Sequence, residues 1–311
     1  MKTTESTAPT RPRNTPAARW SALRDRLLLQ EDLNFLLTNR VPRIALTRAM
    51  GWFSRLRHPL LARASIAVWR LFTDLDLSDA KRQRFESLHD CFTRELRPGA
   101  RVVDPRPEVL ASPCDTIVGA GGAVGEGLLL QAKGMPYRVE DLFGCREAAA
   151  PYLGGQYLTL RLTSSMYHRF HAPDDATIEH VTYLSGDTWN VNPIALARVQ
   201  RLFCRNERAV LRCRLERGGH DLAVVPVAAI AVATLRLHAP DLRLHLGWPG
   251  PHEVACDVRL RKGQEMGWFE QGSTLIVFVP RGFALAPGIA PGVRVRMGQA
   301  LMRLPAAASP A

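Results

Sequence analysis

The sequence predicts an α+β protein, with an N-terminal helical membrane-associating region followed by a β-rich barrel or sandwich. Three observations carry this expectation. Between Ser21 and Leu96 apolar residues recur at helical spacing, as at Leu23, Leu27, Phe35 and Leu36, with Pro42 and Pro59 punctuating the run. From Pro98 onward the texture changes to short alternating or wholly apolar runs separated by glycine and proline. Finally, 311 residues with 46% hydrophobic and 23% charged content are enough for one large domain or two modest ones with a sizeable core.

Taken in order, residues 1–19 are rich in Thr, Pro, Ala and Arg without periodicity and read as a disordered basic tail. Residues 20–97 form the helical region. Its apolar surface comes from Ile44, Leu46, Met50, Trp52, Phe53 and Leu56, and its charge from a series of arginines. From Leu33 to Thr73 there is no Asp or Glu at all. An acid-free, arginine-studded helical stretch bearing Trp and Phe suits an interfacial anchor on anionic lipid. The plainer alternative is a helical subdomain with solvated arginines. The whole chain carries a net charge of +12, which calls for an anionic partner. Nucleic acid is disfavoured, because the aromatics sit among apolar residues and no nucleic-acid motif is present.

Residues 98–305 form the β-rich domain. Leu158, Leu160 and Leu162 alternate with Thr159 and Arg161 and belong on one face of a strand. Val224–Val225, Ala228–Ala233, Leu275–Val279 and Val293–Met297 read as further strands. The run Gly119–Gly127 offers no G-x-G-x-x-G register, and no Walker A sequence occurs, so it reads as turns between strands. Residues 306–311 form a second disordered tail. The longest uncharged apolar run, Leu222–Leu235, is too short to span a hydrocarbon core of about 30 Å and contains Pro226. The N-terminus lacks the apolar stretch of a secretory signal. Six cysteines occur singly, without a Cys-x-x-Cys pair, and fit a reducing compartment. The expected location is therefore the cytoplasmic face of a membrane, held peripherally.

Three short sites carry chemistry when read together. Asp115 follows a proline-containing turn and enters a strand. His168 and His171 form a His-x-x-His, and no third metal ligand accompanies them, so no metal is expected. Ser273 lies between Gly272 and a wholly apolar strand, where glycine permits close approach and unusual backbone. Carboxylate, imidazole and hydroxyl are the three parts of an activated nucleophile.

From about Ile44 to Met302 the chain resembles the phosphatidylserine decarboxylase family. The resemblance rests on Leu88–Pro98, Ser112–Asp115, Leu130–Tyr137 with Asp141–Gly144, Tyr167–Pro173, Gly186 with Val191–Asn192, Leu202–Arg208, and Lys262–Thr274. It implies a membrane-associated enzyme converting phosphatidylserine to phosphatidylethanolamine and CO2 through a Schiff base on a pyruvoyl cofactor. That group would arise from Ser273 by self-cleavage after Gly272, giving fragments 1–272 and 273–311 that stay together as an α/β heterodimer or a dimer of these. Asp115 and His171 match the triad that activates Ser273, and His168 matches a histidine acting near the substrate.

Three positions depart from the family pattern. Thr116 stands where a glycine follows the triad aspartate, Met135 replaces a histidine, and Val227–Ala228 replaces a Val-Gly pair. Thr116 and Met135 leave a different serine phospholipid or an amino acid as alternative substrates. A catalytically silent lipid-surface binder is the alternative outside enzymes.

Overall fold

The computed structural model describes residues 42–131, 135–229, 234–245, 248–270 and 273–305. Two helices open it, α1 (Arg43–Ser54) and α2 (Pro59–Phe72). Pro59 starts α2 at the position where its missing N–H costs nothing, and His58 Nδ1 accepts the Leu61 N–H. The expected helical segment before Pro42 and both tails lie outside the described residues. Between Thr73 and Ser87 the helical expectation fails. There the Asp76 and Asp90 carboxylates accept from the backbone N–H groups of Ser78 and Glu86, a local bonding that competes with helix. The short helix α3 (Leu88–Phe92) follows, capped by Ser87.

Two sheets frame the site, and a three-stranded and a two-stranded sheet accompany them. We number the strands of the framing pair β1 (Thr116–Ala123), β2 (Gln156–Leu162), β3 (Arg169–His171), β4 (Ala176–Leu184), β5 (Arg208–Leu215) and β6 (Asp221–Ala228). They continue as β7 (Thr234–Leu237), β8 (Leu242–His245), β9 (Glu253–Leu260), β10 (Glu265–Phe269), β11 (Ser273–Val279) and β12 (Arg294–Val295). The larger sheet has the order β9-β4-β5-β6-β11-β2-β1-β12, and the smaller β8-β7-β10-β3. Among the described residues β9 and β12 do not pair, so the large sheet is open and the barrel half of the expectation is set aside for stacked layers. The reason is coverage. The smaller sheet packs Phe170, Leu235, Leu237 and Phe269 against one face, and short helices bring Leu142, Phe143, Leu202 and Phe203 to the other.

This sandwiching explains the apolar run of β11. Leu275, Val277 and Val279 enter the core on one face, and Ile276 and Phe278 enter it on the other. A strand wet on neither face has no need of polar alternation. Leu158, Leu160 and Leu162 share one core as expected, with Tyr157 on the opposite side. The glycine run is a correction, since its first half lies inside β1. A Cβ on Gly121 would lie 2.4 Å from Leu158 Cδ1, so glycine serves close strand approach here. The strand expected over Val293–Met297 shortens to Arg294–Val295.

Candidate active site

Position 273 opens β11, near the middle of the large sheet, paired with Leu162 of β2 and Ala228 of β6. A cavity of about 790 Å³ lies against this end of the sheet. Its wall includes Leu162 and Ala229 from the strand ends, Met50 and Phe53 from α1, Val68 and Trp69 from α2, and Phe92 from α3. The charged group in the wall is Arg161, joined by Thr163, Ser164, Asn190 and Asn192. Burial lowers the Arg161 pKa. An apolar chamber with a few polar groups at one side suits an amphiphile.

The helices forming the roof are apolar outside as well as inside. Trp52 is 68% exposed and Leu60 69%, and Val68, Leu71 and Phe72 are exposed too. Arg55, the C-cap of α1, forms an ion pair with Glu270, three residues before Ser273. Among the described residues no helix is long and apolar enough to cross a membrane.

The two histidines of one motif have different surroundings, His168 just before β3 and His171 at its end. His168 is fully buried, with its ring 3.9 Å from that of Phe92. Its Nδ1 lies 2.9 Å from the Met166 carbonyl, which can only accept, so Nδ1 carries the proton. Nε2 keeps a lone pair with no partner. Burial pushes the pKa of this imidazole down to about 3. The His168 carbonyl accepts the Phe269 N–H at 3.0 Å, which ties it to the approach to position 273.

His171 is held at both nitrogens. Nδ1 donates to the Gly263 carbonyl at 3.0 Å, and Nε2 accepts from the Tyr167 hydroxyl at 3.0 Å. Burial lowers its pKa as well. His171 lines a polar cavity of about 390 Å³ together with Arg97, Arg101, Arg169, His238 and Glu265. Glu265 is bound by Arg169 at 2.7 Å and by His238 at 2.6 Å.

Asp115 approaches His171 through the backbone, where the His171 N–H donates to the Pro113 carbonyl at 2.8 Å. Its carboxylate, however, is gripped by Arg101, with Nε at 2.8 Å and Nη2 at 2.5 Å, and accepts the Met297 N–H at 2.9 Å. The structure thus ties the turn before β1, which carries Asp115, to His171 at the end of β3 through the backbone, without a hydrogen bond between the two side chains. It places position 273 by register alone. Sequence reasoning missed Arg101, which nothing in the local pattern distinguishes from the other arginines. No cluster of three metal-ligating groups occurs among the described residues.

Residues 88–303 match the family model described as phosphatidylserine decarboxylase. The chain belongs to this family. It is 38% identical over 270 residues to a phosphatidylserine decarboxylase proenzyme of Anaeromyxobacter sp. (strain K), covering 84% of this chain and 94% of that one. The proteins of the same name from Myxococcus xanthus and Brevibacillus brevis are 36% and 33% identical, over 86% and 85% of this chain and 97% and 95% of theirs. Membership makes this chain a decarboxylase, and the name proenzyme accords with a prosthetic group made by processing.

Proposed function

We propose that the chain cuts itself between Gly272 and Ser273 and then converts phosphatidylserine to phosphatidylethanolamine and CO2 on a membrane surface. The observation that carries this is the seat of Ser273, as the first residue of a central strand whose partner Leu162 lines an amphiphile-sized cavity. In the cut, His171 takes the Ser273 hydroxyl proton while Oγ adds to the Gly272 carbonyl. Asp115 completes the relay when its carboxylate exchanges Arg101 for the imidazole.

The residues present fit a pyruvoyl group at position 273, since His168 Nε2 is buried and unpartnered beside Phe92, which lines the cavity. Such a group supplies a carbonyl that binds the substrate amine and draws off the electron pair left by departing CO2. With the substrate's carboxylate beside it to raise its proton affinity, the unpartnered His168 Nε2 takes the proton of the substrate ammonium. It later returns that proton to the carbon that lost CO2. The apolar walls from α1 and α2 receive the acyl chains, and Arg161 faces the head-group anions.

The exposed apolar residues of α1 and α2, with the arginines between them, favour peripheral docking on anionic lipid at the cytoplasmic face. A different head group has no such support. The Thr116 hydroxyl lies 3.2 Å from the Arg161 carbonyl, and neither Thr116 nor Met135 lines the cavity.

The test is a denaturing gel followed by mass analysis. The wild-type chain should run as 1–272 and 273–311, the latter beginning with a pyruvoyl group, and should release CO2 from phosphatidylserine vesicles. Ser273→Ala should stay whole and inactive. A split that persists in Ser273→Ala would sink the proposal.

A further inference from the structure

One buried cation has no part in the chemistry so far. Arg94 is 6% exposed, and its donors go to carbonyls instead of carboxylates. Nη2 donates to Ser165 at 2.9 Å and Nη1 to Cys91 at 3.3 Å, while Nε has no partner. The acids that act on it from a distance serve other groups, Asp115 being gripped by Arg101 and Asp76 accepting the Ser78 N–H. A buried charge without a counter-ion is costly to a fold and asks for an explanation.

Its surroundings supply one. Arg94 is the last of three consecutive residues that all grip the segment carrying His168. The Phe92 ring lies 3.9 Å from the imidazole. The Thr93 carbonyl accepts Nε and Nη2 of Arg169 at 3.0 and 2.8 Å. Arg94 itself holds the Ser165 carbonyl. The next residue is Met166, whose N–H closes the turn onto the Thr163 carbonyl at 3.0 Å. The Met166 carbonyl takes the Nδ1 proton of His168, which fixes the tautomer that leaves Nε2 its lone pair. The imidazole is thus oriented through a short chain of contacts that starts at a guanidinium. The same turn reaches the apolar cavity, where Thr163 and Ser164 join Phe92 in the wall. Charge acts along with geometry. Burial does most to lower the His168 pKa, the bond to Met166 opposes it, and Arg94 is the ionised group among the described residues whose field adds to the lowering.

Resting on the role given to His168 above, we propose that Arg94 is a positioning residue for decarboxylation, pinning the turn that orients the His168 imidazole. Its second contribution is electrostatic. A cation near the ring keeps Nε2 unprotonated until the substrate arrives. The substrate's carboxylate offsets that field, and Nε2 then takes the ammonium proton. Departure of the carboxylate as CO2 restores the field, which favours passing the proton on to the carbon left with the electron pair. The ring is therefore a base before the C–C bond breaks and an acid after it. This also accounts for the missing counter-ion, because a carboxylate bonded to Arg94 would cancel the field.

The test measures CO2 release from phosphatidylserine vesicles per mole of split chain, with Arg94→Met, Arg94→Lys and His168→Gln beside wild type. Arg94→Met lacks both the charge and the fork. It should lose about 10²-fold in kcat with KM little changed, the scale for a reacting group misplaced by about an ångström. Its kcat/KM should also fall away at a higher pH on the acidic side, because a ring without a cation near it takes up a proton sooner. Arg94→Lys keeps the charge, so its acidic limb should stay where wild type has it. In a His168→Gln background Arg94→Met should lose little more, since the ring through which it acts is gone. Wild-type kcat in Arg94→Met overturns the proposal. So does an equal loss in the His168→Gln background or an unmoved acidic limb, either being the signature of a merely structural role. If Arg94→Met does not fold or split, Arg94→Lys decides: a loss of kcat confined to chains that keep His168 supports the positioning role, and wild-type kcat overturns it. Turnover of His168→Gln at the wild-type rate would instead defeat the assignment of His168, whatever position 94 does.

Discussion

The surroundings of His168 and His171 make the most instructive contrast in the molecule. The two residues are three apart in one motif, yet they belong to different environments. His168 lies inside, against Phe92, with one nitrogen free, beside an apolar cavity. His171 lies at a polar cavity crowded with arginine and glutamate, with both nitrogens engaged. A free lone pair in a dry place is a reagent held ready. A ring fixed at both ends is aligned, and must change a partner before it acts. On the proposed reading, the contrast divides two jobs, making the prosthetic group and using it, between two imidazoles three residues apart.

The contrast can be broken most severely at His171. His171→Ala should abolish splitting, so that the full-length chain persists on a denaturing gel and no CO2 is released. Near-normal splitting would reassign the base. The next largest effect should come from His168→Gln. Here the chain should still split, but turnover of phosphatidylserine should fall by roughly 10²–10⁴-fold, the usual worth of a positioned proton carrier. If His168→Gln blocked splitting as completely as His171→Ala, the division of labour would collapse.

The smallest effect is on stability. The native pKa of His168 is about 3 against an ordinary 6.5, so below pH 6.5 the unfolded chain binds a proton that the native one does not. Stability is then lost as pH falls from about 6.5 toward 3, with a slope of up to about 1.4 kcal/mol per pH unit from this group. His168→Gln should therefore lose less Tm between pH 7 and pH 5 than wild type. Equal losses would mean that His168 is wetter than its surroundings indicate.

Much of the frame was legible because side-chain period reports on burial. Leu158, Leu160 and Leu162 announced one core-facing side of a strand, and Leu275 to Val279 announced a strand covered on both faces. The Gly119–Gly127 run misled because glycine has no side chain to show a period. What makes it a strand is the approach of Leu158, which is far away in sequence. The chemistry-bearing residues were legible as types, but their partners were not. That Asp115 is gripped by Arg101, or that Phe53, Trp69 and Leu162 wall one cavity, depends on packing between elements that no local pattern encodes. Glu207 is the extreme case. In sequence it is one charge among several between Arg201 and Arg208, and nothing there shows that the folded chain buries it without a hydrogen-bond partner.

The seat of β11 between β2 and β6 bears on what happens to the molecule afterwards. A backbone severed just ahead of this strand leaves the short piece interleaved in the larger one, bonded along both flanks from Ser273 to Phe278. Pulling it free would mean dismantling the interior of the sheet, which amounts to denaturing the protein. Two polypeptides would thus persist as one indivisible body, and the freshly made end would stay where it was born.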